Sequence, residues 1–148
     1  MRRAVAVTVA ALAGTVLLAG CGGGRSVVVR DQDGDVLADA RLPASGRFAI
    51  AYRHSYYRVP ARESFAADAS GFRMVEVASP SEAVLDYYEL VGTKRPGGWM
   101  RLEPARPQHF ERLPLIATEV GRRTLEVAGR SYPLYAGAPR HVTIELEN

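Results

Sequence analysis

Phe48-Ala-Ile-Ala-Tyr-Arg-His-Ser-Tyr-Tyr57 alternates large apolar or aromatic side chains with smaller or more polar ones. Successive side chains of an extended strand point to opposite faces, so every second residue from Phe48 to Tyr56 shares one face. A helix would instead scatter these side chains around its axis. The segment therefore predicts a β-strand that turns one face toward a hydrophobic core.

The sequence on both sides of this segment predicts further strands. Two β-branched runs, 27–30 and 36–38, flank Asp33-Gly34, which is typical of a hairpin whose type I′ turn needs a positive φ at both central residues. A second pair, 63–68 and 72–77, surrounds Ser70-Gly71, and His141 to Leu146 alternates strictly. Many short strands between such turns favour an all-β fold, an antiparallel β-sandwich or a small barrel.

Residues 81–92 are the one stretch with helical spacing. Val84, Tyr87, Tyr88 and Val91 recur at intervals of three and four residues, although the stretch could also form an irregular strand. We expect one short helix here, with Ser81 as its N-cap and Gly92 as its terminator.

The N-terminus carries an export signal. Arg2 and Arg3 precede an apolar run, residues 4–18, which has the length of a signal-peptide core and is short for a bilayer-spanning helix. It ends in Leu18-Ala-Gly-Cys21, which resembles the lipobox of bacterial lipoproteins, where the thiol takes a diacylglycerol. The alternatives are an ordinary secretory signal and an uncleaved anchor.

This motif sets the expected organisation of the chain. We expect 1–20 to be a lipoprotein signal peptide, 21–26 to be the lipidated Cys21 with a glycine tether, and 27–148 to be a single β-rich domain. The protein is then held at the cell membrane on its extracytoplasmic face. Because Cys21 is the only cysteine, no thiol is left for a disulfide, a metal cluster or a nucleophile.

The charge balance bears on partners. The leader removes two of the 19 basic side chains and leaves 17 against 16 acidic ones. A net charge this close to zero gives no long-range field for a polyanion, so we expect no nucleic-acid partner. We also expect no cofactor and no metal. Asp31-x-Asp33-Gly34-Asp35 has its glycine at the wrong position for a calcium loop, and a hairpin turn explains these residues.

A family resemblance begins at Phe48. The pattern Phe48-x-Ile-x-Tyr-x-His-Ser55, followed by Pro60 and by Glu63-x-Phe65, resembles the signature of a small bacterial family catalogued as a domain of unknown function, number eighteen-fifty. The stretch from Gly121 to Leu134 is similar to the closing hairpin of that family. The resemblance implies a small exported or membrane-associated protein, often encoded near tripartite (TRAP-type) transporters, with no established activity.

His54, Ser55 and Glu63 are the residues that could carry chemistry. Neighbours on a strand point to opposite faces, so His54 is badly placed to activate Ser55. Glu63 is a better partner for His54, across the hairpin formed by the two segments. His54 is then either a hydrogen-bonded core residue or one half of a His–Glu pair that lines a pocket, with Arg53 and Ser55 on the opposite face.

The same hairpin end carries a basic and aromatic patch. Arg53, Arg58 and Arg62 lie near Tyr56 and Tyr57. Guanidinium groups suit carboxylate or phosphate ligands because they donate paired hydrogen bonds. The alternative is a solvated strand end with amphipathic tyrosines. His109 and His141 have no ligand spacing around them.

We predict a non-catalytic binding or accessory module at the membrane surface. Its partners are the membrane, through the N-terminal lipid, and either a transporter component or a small anionic ligand. The candidate binding residues are Arg53, His54, Ser55, Arg58 and Glu63, and no catalytic residue is assigned. Two alternatives stay open: a hydrolytic or ligand-processing enzyme that uses His54 and Glu63 as a base and its orienter, and an envelope structural protein.

Overall fold

The computed structural model describes residues 24–148. They form twelve strands and one short helix. The bounds are β1 Ser26–Asp31, β2 Val36–Arg41, β3 Arg47–Arg53, β4 Pro60–Ala67, β5 Phe72–Ser79, α1 Glu82–Tyr87, β6 Gly92–Arg95, β7 Met100–Pro104, β8 His109–Phe110, β9 Arg112–Ala117, β10 Thr124–Val127, β11 Arg130–Pro133 and β12 Arg140–Glu147.

These strands form two antiparallel sheets. The smaller sheet has the order β2-β1-β12-β9, and the larger has the order β11-β10-β3-β4-β5-β7-β6, with β8 added beside β5. One cluster of buried side chains draws on both sheets. The fold is therefore an all-β sandwich with one short helix, which confirms the fold class predicted from the sequence.

Stacked phenylalanines form the centre of the core. Phe48 of β3 lies opposite Phe65 of β4, and their rings stack with centroids 5.1 Å apart. Phe72 meets the Phe48 ring edge-on at 5.1 Å. Val29 and Ile144 of the smaller sheet belong to the same cluster. The face of β3 that the sequence alternation predicts to be apolar is therefore the face that packs in the core.

The predicted hairpins are present, but one turn type was wrong. Strands β1 and β2 pair around Gln32 to Asp35, yet only Gly34 has a positive φ, 89°. The Gly34 amide donates to the Asp31 carbonyl at 3.1 Å, and the Asp31 carboxylate accepts from the Asp33 and Asp35 amides, each at 3.0 Å. The aspartate side chain stabilises this longer loop, so a two-residue type I′ turn is not needed.

Strand β3 ends at Arg53, so the prediction that alternation continues to Tyr57 was wrong. The His54 amide donates to the Val59 carbonyl, and the His54 carbonyl accepts from the Arg58 amide, each at 2.8 Å. These bonds fold residues 54–59 into a turn, in which Arg58 adopts a left-handed φ of 59°. Tyr56 is consequently 77% exposed.

The short helix is confirmed with Ser81 at its N-cap position, whereas the predicted C-terminal end differs. Ser81 precedes α1 without a side-chain capping bond. At the other end Glu89 takes the left-handed conformation, with φ 52°, that glycine usually supplies after a helix. Gly92 lies in β6, where a Cβ would stand 2.2 Å from the Glu103 carbonyl oxygen. The close approach of β6 and β7 therefore explains why a glycine occupies position 92.

Residues 1–23, which include Cys21 and the predicted signal peptide, lie outside the described residues. Within 24–148 no helix has the length and apolarity needed to cross a bilayer.

We predict that Gly92→Ala destabilises the protein by about 1–3 kcal/mol, because the added methyl forces β6 away from the Glu103 carbonyl. Gly98→Ala is the matched control, since a Cβ at Gly98 meets no atom within 4 Å. The measurement is the free energy of unfolding in urea. Equal effects of the two substitutions would contradict the close approach.

Candidate functional site

A cleft of about 550 Å³ opens where β3 ends. Arg53, His54, Ser55 and Glu63, four of the five predicted binding residues, line it together, and the side chain of Arg58 does not. The other lining residues come from β3, from the C-terminal end of α1, from β9 and from the segment after β9: Tyr52, Tyr87, Tyr88, Ile116, Thr118, Gly121 and Arg123.

His54 forms one wall of the cleft and is only 5% exposed. Its Nδ1 accepts a hydrogen bond from the Tyr57 amide at 3.3 Å, so in the neutral ring the proton is on Nε2. The Tyr87 ring packs edge-on against the imidazole with centroids 4.8 Å apart. Burial lowers the pKa of His54. The ring is therefore a neutral donor at pH 7.

Glu63 lies at the base of the cleft and is paired with tyrosine rather than with His54. Its carboxylate accepts a hydrogen bond from the Tyr88 hydroxyl, and that hydroxyl also bonds the hydroxyl of Tyr52. Strand pairing sets Glu63 opposite Ile50, which lies four residues before His54 in the chain. The predicted His–Glu hydrogen bond is absent among the described contacts.

The surroundings of Glu63 act on its pKa in opposite directions. Burial raises the pKa of Glu63, while the hydrogen bond from Tyr88 and the positive charge of Arg123 lower it, with burial the larger effect. Burial also raises the pKa of Tyr52 to about 12. Both tyrosines therefore stay protonated and donate along the chain that ends at the carboxylate.

Arg123 is the charged lining residue that the sequence analysis did not predict. Its guanidinium lies over the Tyr52 ring, 5.0 Å from the centroid, and its Nε donates to the Ile116 carbonyl at 3.1 Å. Its Nη1 is buried and has no hydrogen-bond partner among residues 24–148. A buried donor without an acceptor is costly, and among residues 24–148 Arg123 is the lining residue whose side chain carries such a donor.

The prediction that Arg53 and Ser55 face away from His54 was wrong, because the strand ends before alternation can separate them. Arg53 donates from Nε to the Arg58 carbonyl at 3.0 Å, which braces the turn. Arg62 does not join the predicted basic patch, since it pairs with Glu126 at 2.8 Å on the other face of β4. The patch is thus divided between two surfaces.

His109, which has no ligand spacing in the sequence, contacts two polar side chains in the structure. Its Nε2 lies 3.2 Å from the Ser70 hydroxyl and 3.3 Å from the Asp68 carboxylate. A catalytic triad needs serine and aspartate on opposite ring nitrogens, so this cluster has the composition of a triad without its geometry. Among the described residues no group of three acidic, histidine or cysteine side chains is arranged to hold a metal.

A sequence comparison matches the same part of the chain. The model of a family described as Domain of unknown function (DUF1850) matches residues 48–134, from the first residue of the predicted signature to the end of the predicted closing hairpin. The match therefore contains the segments on both sides of the cleft and omits β1, β2 and β12. No curated protein and no solved structure matches the chain.

We predict that Glu63→Gln changes the pH dependence of stability. Because the pKa of Glu63 is raised in the folded state, its contribution is fully present below the unfolded pKa near 4.5 and is lost as pH rises through the folded pKa. Glutamine does not titrate. The unfolding free energy of the wild type should fall relative to E63Q by up to about 1.4 kcal/mol per pH unit across that window.

Urea titrations of both proteins between pH 4 and pH 9 measure this difference. A constant difference over the whole range would show that the carboxyl group titrates alike in the folded and unfolded states.

Proposed function

We propose that this chain, which belongs to the family described as Domain of unknown function (DUF1850), is a non-catalytic binding module that takes a small anionic ligand in the cleft beside His54. We propose further that a lipid on Cys21 holds it at the extracytoplasmic face of the cell membrane. The ligand proposal rests on the cleft, and the membrane proposal rests on the N-terminal sequence.

The ligand proposal rests on one observation. The cleft contains hydrogen-bond donors without acceptors, on Arg123 and His54, whereas the carboxylate of Glu63 already accepts a hydrogen bond. Glu63 accepts from Tyr88, whereas Arg123 has a buried Nη1 without an acceptor. His54 presents an Nε2 proton, because its Nδ1 accepts from a backbone amide. A carboxylate ligand supplies acceptors to such donors, and charge-assisted bonds to a guanidinium are among the stronger ones.

The rim of the cleft favours a ligand with a flat apolar body. Tyr57 and Tyr87 are exposed and lie edge-on, with ring centroids 6.5 Å apart. Ile116, on the opposite side of the cleft, is 53% exposed. Exposed apolar side chains beside converging polar groups are typical of ligand sites.

The contacts in the cleft also distinguish this proposal from the two alternatives, an enzyme that uses His54 and Glu63 and an envelope structural protein. A base–orienter pair needs His54 to donate to Glu63, but the Nδ1 of His54 accepts from the Tyr57 amide and the hydrogen bond to Glu63 comes from Tyr88. A purely structural envelope protein needs no cleft with an unsatisfied guanidinium. Binding without catalysis therefore accounts for more of the observed contacts than either alternative.

We predict that benzoate binds the full chain and that benzamide, its neutral analogue, binds at least about tenfold more weakly, because only the carboxylate pairs with the guanidinium. Arg123→Gln should weaken benzoate binding by at least about tenfold. Arg122→Gln is the matched control, since Arg122 is exposed and does not line the cleft.

Titration calorimetry measures these affinities, and circular dichroism checks that each variant is folded. Arg53→Gln provides a second test if Arg123→Gln fails to fold, because Arg53 also lines the cleft. Equal binding of the two compounds, or equal losses in R122Q and R123Q, would rule out recognition of an anion by the cleft.

The anchoring proposal implies an orientation. Arg25, two residues from the start of the described chain, donates to the Asp68 carbonyl, and its own carbonyl accepts from Leu42 at 2.9 Å. These contacts lie at the end of the sandwich where β3 begins, and the cleft lies where β3 ends. Six residue steps of about 3.3 Å separate the two ends by about 20 Å. A lipid on Cys21 would therefore leave the cleft facing away from the membrane.

We predict that Cys21 incorporates labelled palmitate and that Cys21→Ala abolishes the label and releases the protein from the membrane.

A second experiment tests the orientation. Acylation leaves no other thiol, so Ser45→Cys and Ser55→Cys introduce single reporter sites just before and just after β3. Nitroxide-bearing lipids should quench a fluorophore at 45 more strongly than one at 55. An unlabelled, soluble wild type would refute the anchor, and stronger quenching at 55 would refute only the orientation.

A transporter component is the proposed protein partner, on the basis of the gene neighbourhoods that the family resemblance implies. An outward-facing cleft would be accessible to an extracytoplasmic transporter subunit.

A further inference from the structure

The outward face of the larger sheet carries a second concavity of about 530 Å³. The face of β3 and β4 that holds Phe48 and Phe65 is buried in the core. Alternation therefore turns Ala49 and Ser64 outward, and the two lie opposite each other in the pairing of these strands. We call this concavity the arginine trough, because Arg47, Arg62, Arg101 and Arg130 line it.

The floor of the trough is made of small residues. Ala49 lies between Ser64 on one neighbouring strand and Glu126 on the other. In the next row across the sheet, Ala78 separates Arg62 from Arg101. Strands are about 4.8 Å apart, so these two arginines arise about 10 Å from each other with only a methyl group between them. This spacing leaves room for a ligand between two guanidinium groups.

Most of the positive charge in the trough is unpaired. Arg62 bonds Glu126 at 2.8 Å. Within residues 24–148, the side chains of Arg47, Arg101 and Arg130 form no hydrogen bond or ion pair, and Glu76 is the lining carboxylate without a partner. Three guanidinium groups thus face one carboxylate.

Sheet stability does not explain Arg101. It lies directly opposite Arg95 of β6, and like charges in that position destabilise a sheet. Arg95 is bonded to Glu103 at 2.9 Å, whereas Arg101, which lines the trough, acts on that carboxylate through its charge alone. The two arginines thus share one carboxylate, and an anion in the trough would supply Arg101 with the hydrogen-bond acceptors that it lacks.

We propose that the arginine trough binds a small polyanion with at least two carboxylate or phosphate groups. Guanidinium groups on both sides of a narrow floor match such a ligand, since each can donate two parallel hydrogen bonds to one oxyanion group. The trough shares no lining residue with the cleft beside His54. The proposal is therefore independent of the function proposed for that cleft.

Titration calorimetry of the full chain with citrate and with pyrophosphate tests this site, and the two probes distinguish carboxylate from phosphate recognition. We expect at least one probe to bind, and the double variant Arg47→Gln/Arg101→Gln to weaken that binding by at least tenfold. Arg106→Gln/Arg122→Gln is the charge-matched control, because both arginines are exposed and lie outside the trough.

The substituted side chains are exposed, so the variants should keep the wild-type unfolding midpoint. Chemical-shift changes confined to Arg47, Arg62, Arg101 and Arg130 would locate the ligand. Absence of binding by both probes at millimolar concentration, or an equal loss of affinity in the control pair, would overturn the proposal.

Discussion

Phe48 and Phe65 meet across the β3–β4 ladder, and the register that pairs them determines the rest of the larger sheet. The same register sets Glu63 opposite Ile50, on the inner face, and Ser64 opposite Ala49, on the outer face. A slip of one residue would exchange these faces, since side chains alternate along each strand. It would expose the phenylalanine pair, remove the carboxylate from the cleft and fill the floor of the arginine trough.

The cleft is a polar network at the end of a hydrophobic core. Its hydroxyl chain from Tyr52 through Tyr88 to Glu63 satisfies the carboxylate, and the cation–π contact with Tyr52 holds Arg123 beside it. A network of this kind is stabilising only where every member has a partner. The unpartnered nitrogen of Arg123 therefore distinguishes this cleft from an ordinary buried hydrogen-bond network.

The two surfaces that we propose bind anions lie on different parts of the sandwich. The cleft is at the end of β3, beside α1 and β9, whereas the arginine trough lies on the outer face of the larger sheet, from β11 to β7. Both surfaces are positive on a chain whose formal net charge is only +3. Local arrangement of arginine, rather than overall charge, is what suits them to anions.

The sequence by itself determined the all-β class, most of the longer strands and the family, because hydrophobic alternation and turn residues act over a few neighbouring positions. The sequence also identified His54, Ser55 and Glu63 as candidate binding residues. Only the tertiary structure decided that β3 stops at Arg53, that Tyr88 rather than His54 bonds Glu63, and that Arg123 completes the cleft. These outcomes depend on register and packing between segments distant in the chain, which no local pattern of residues specifies.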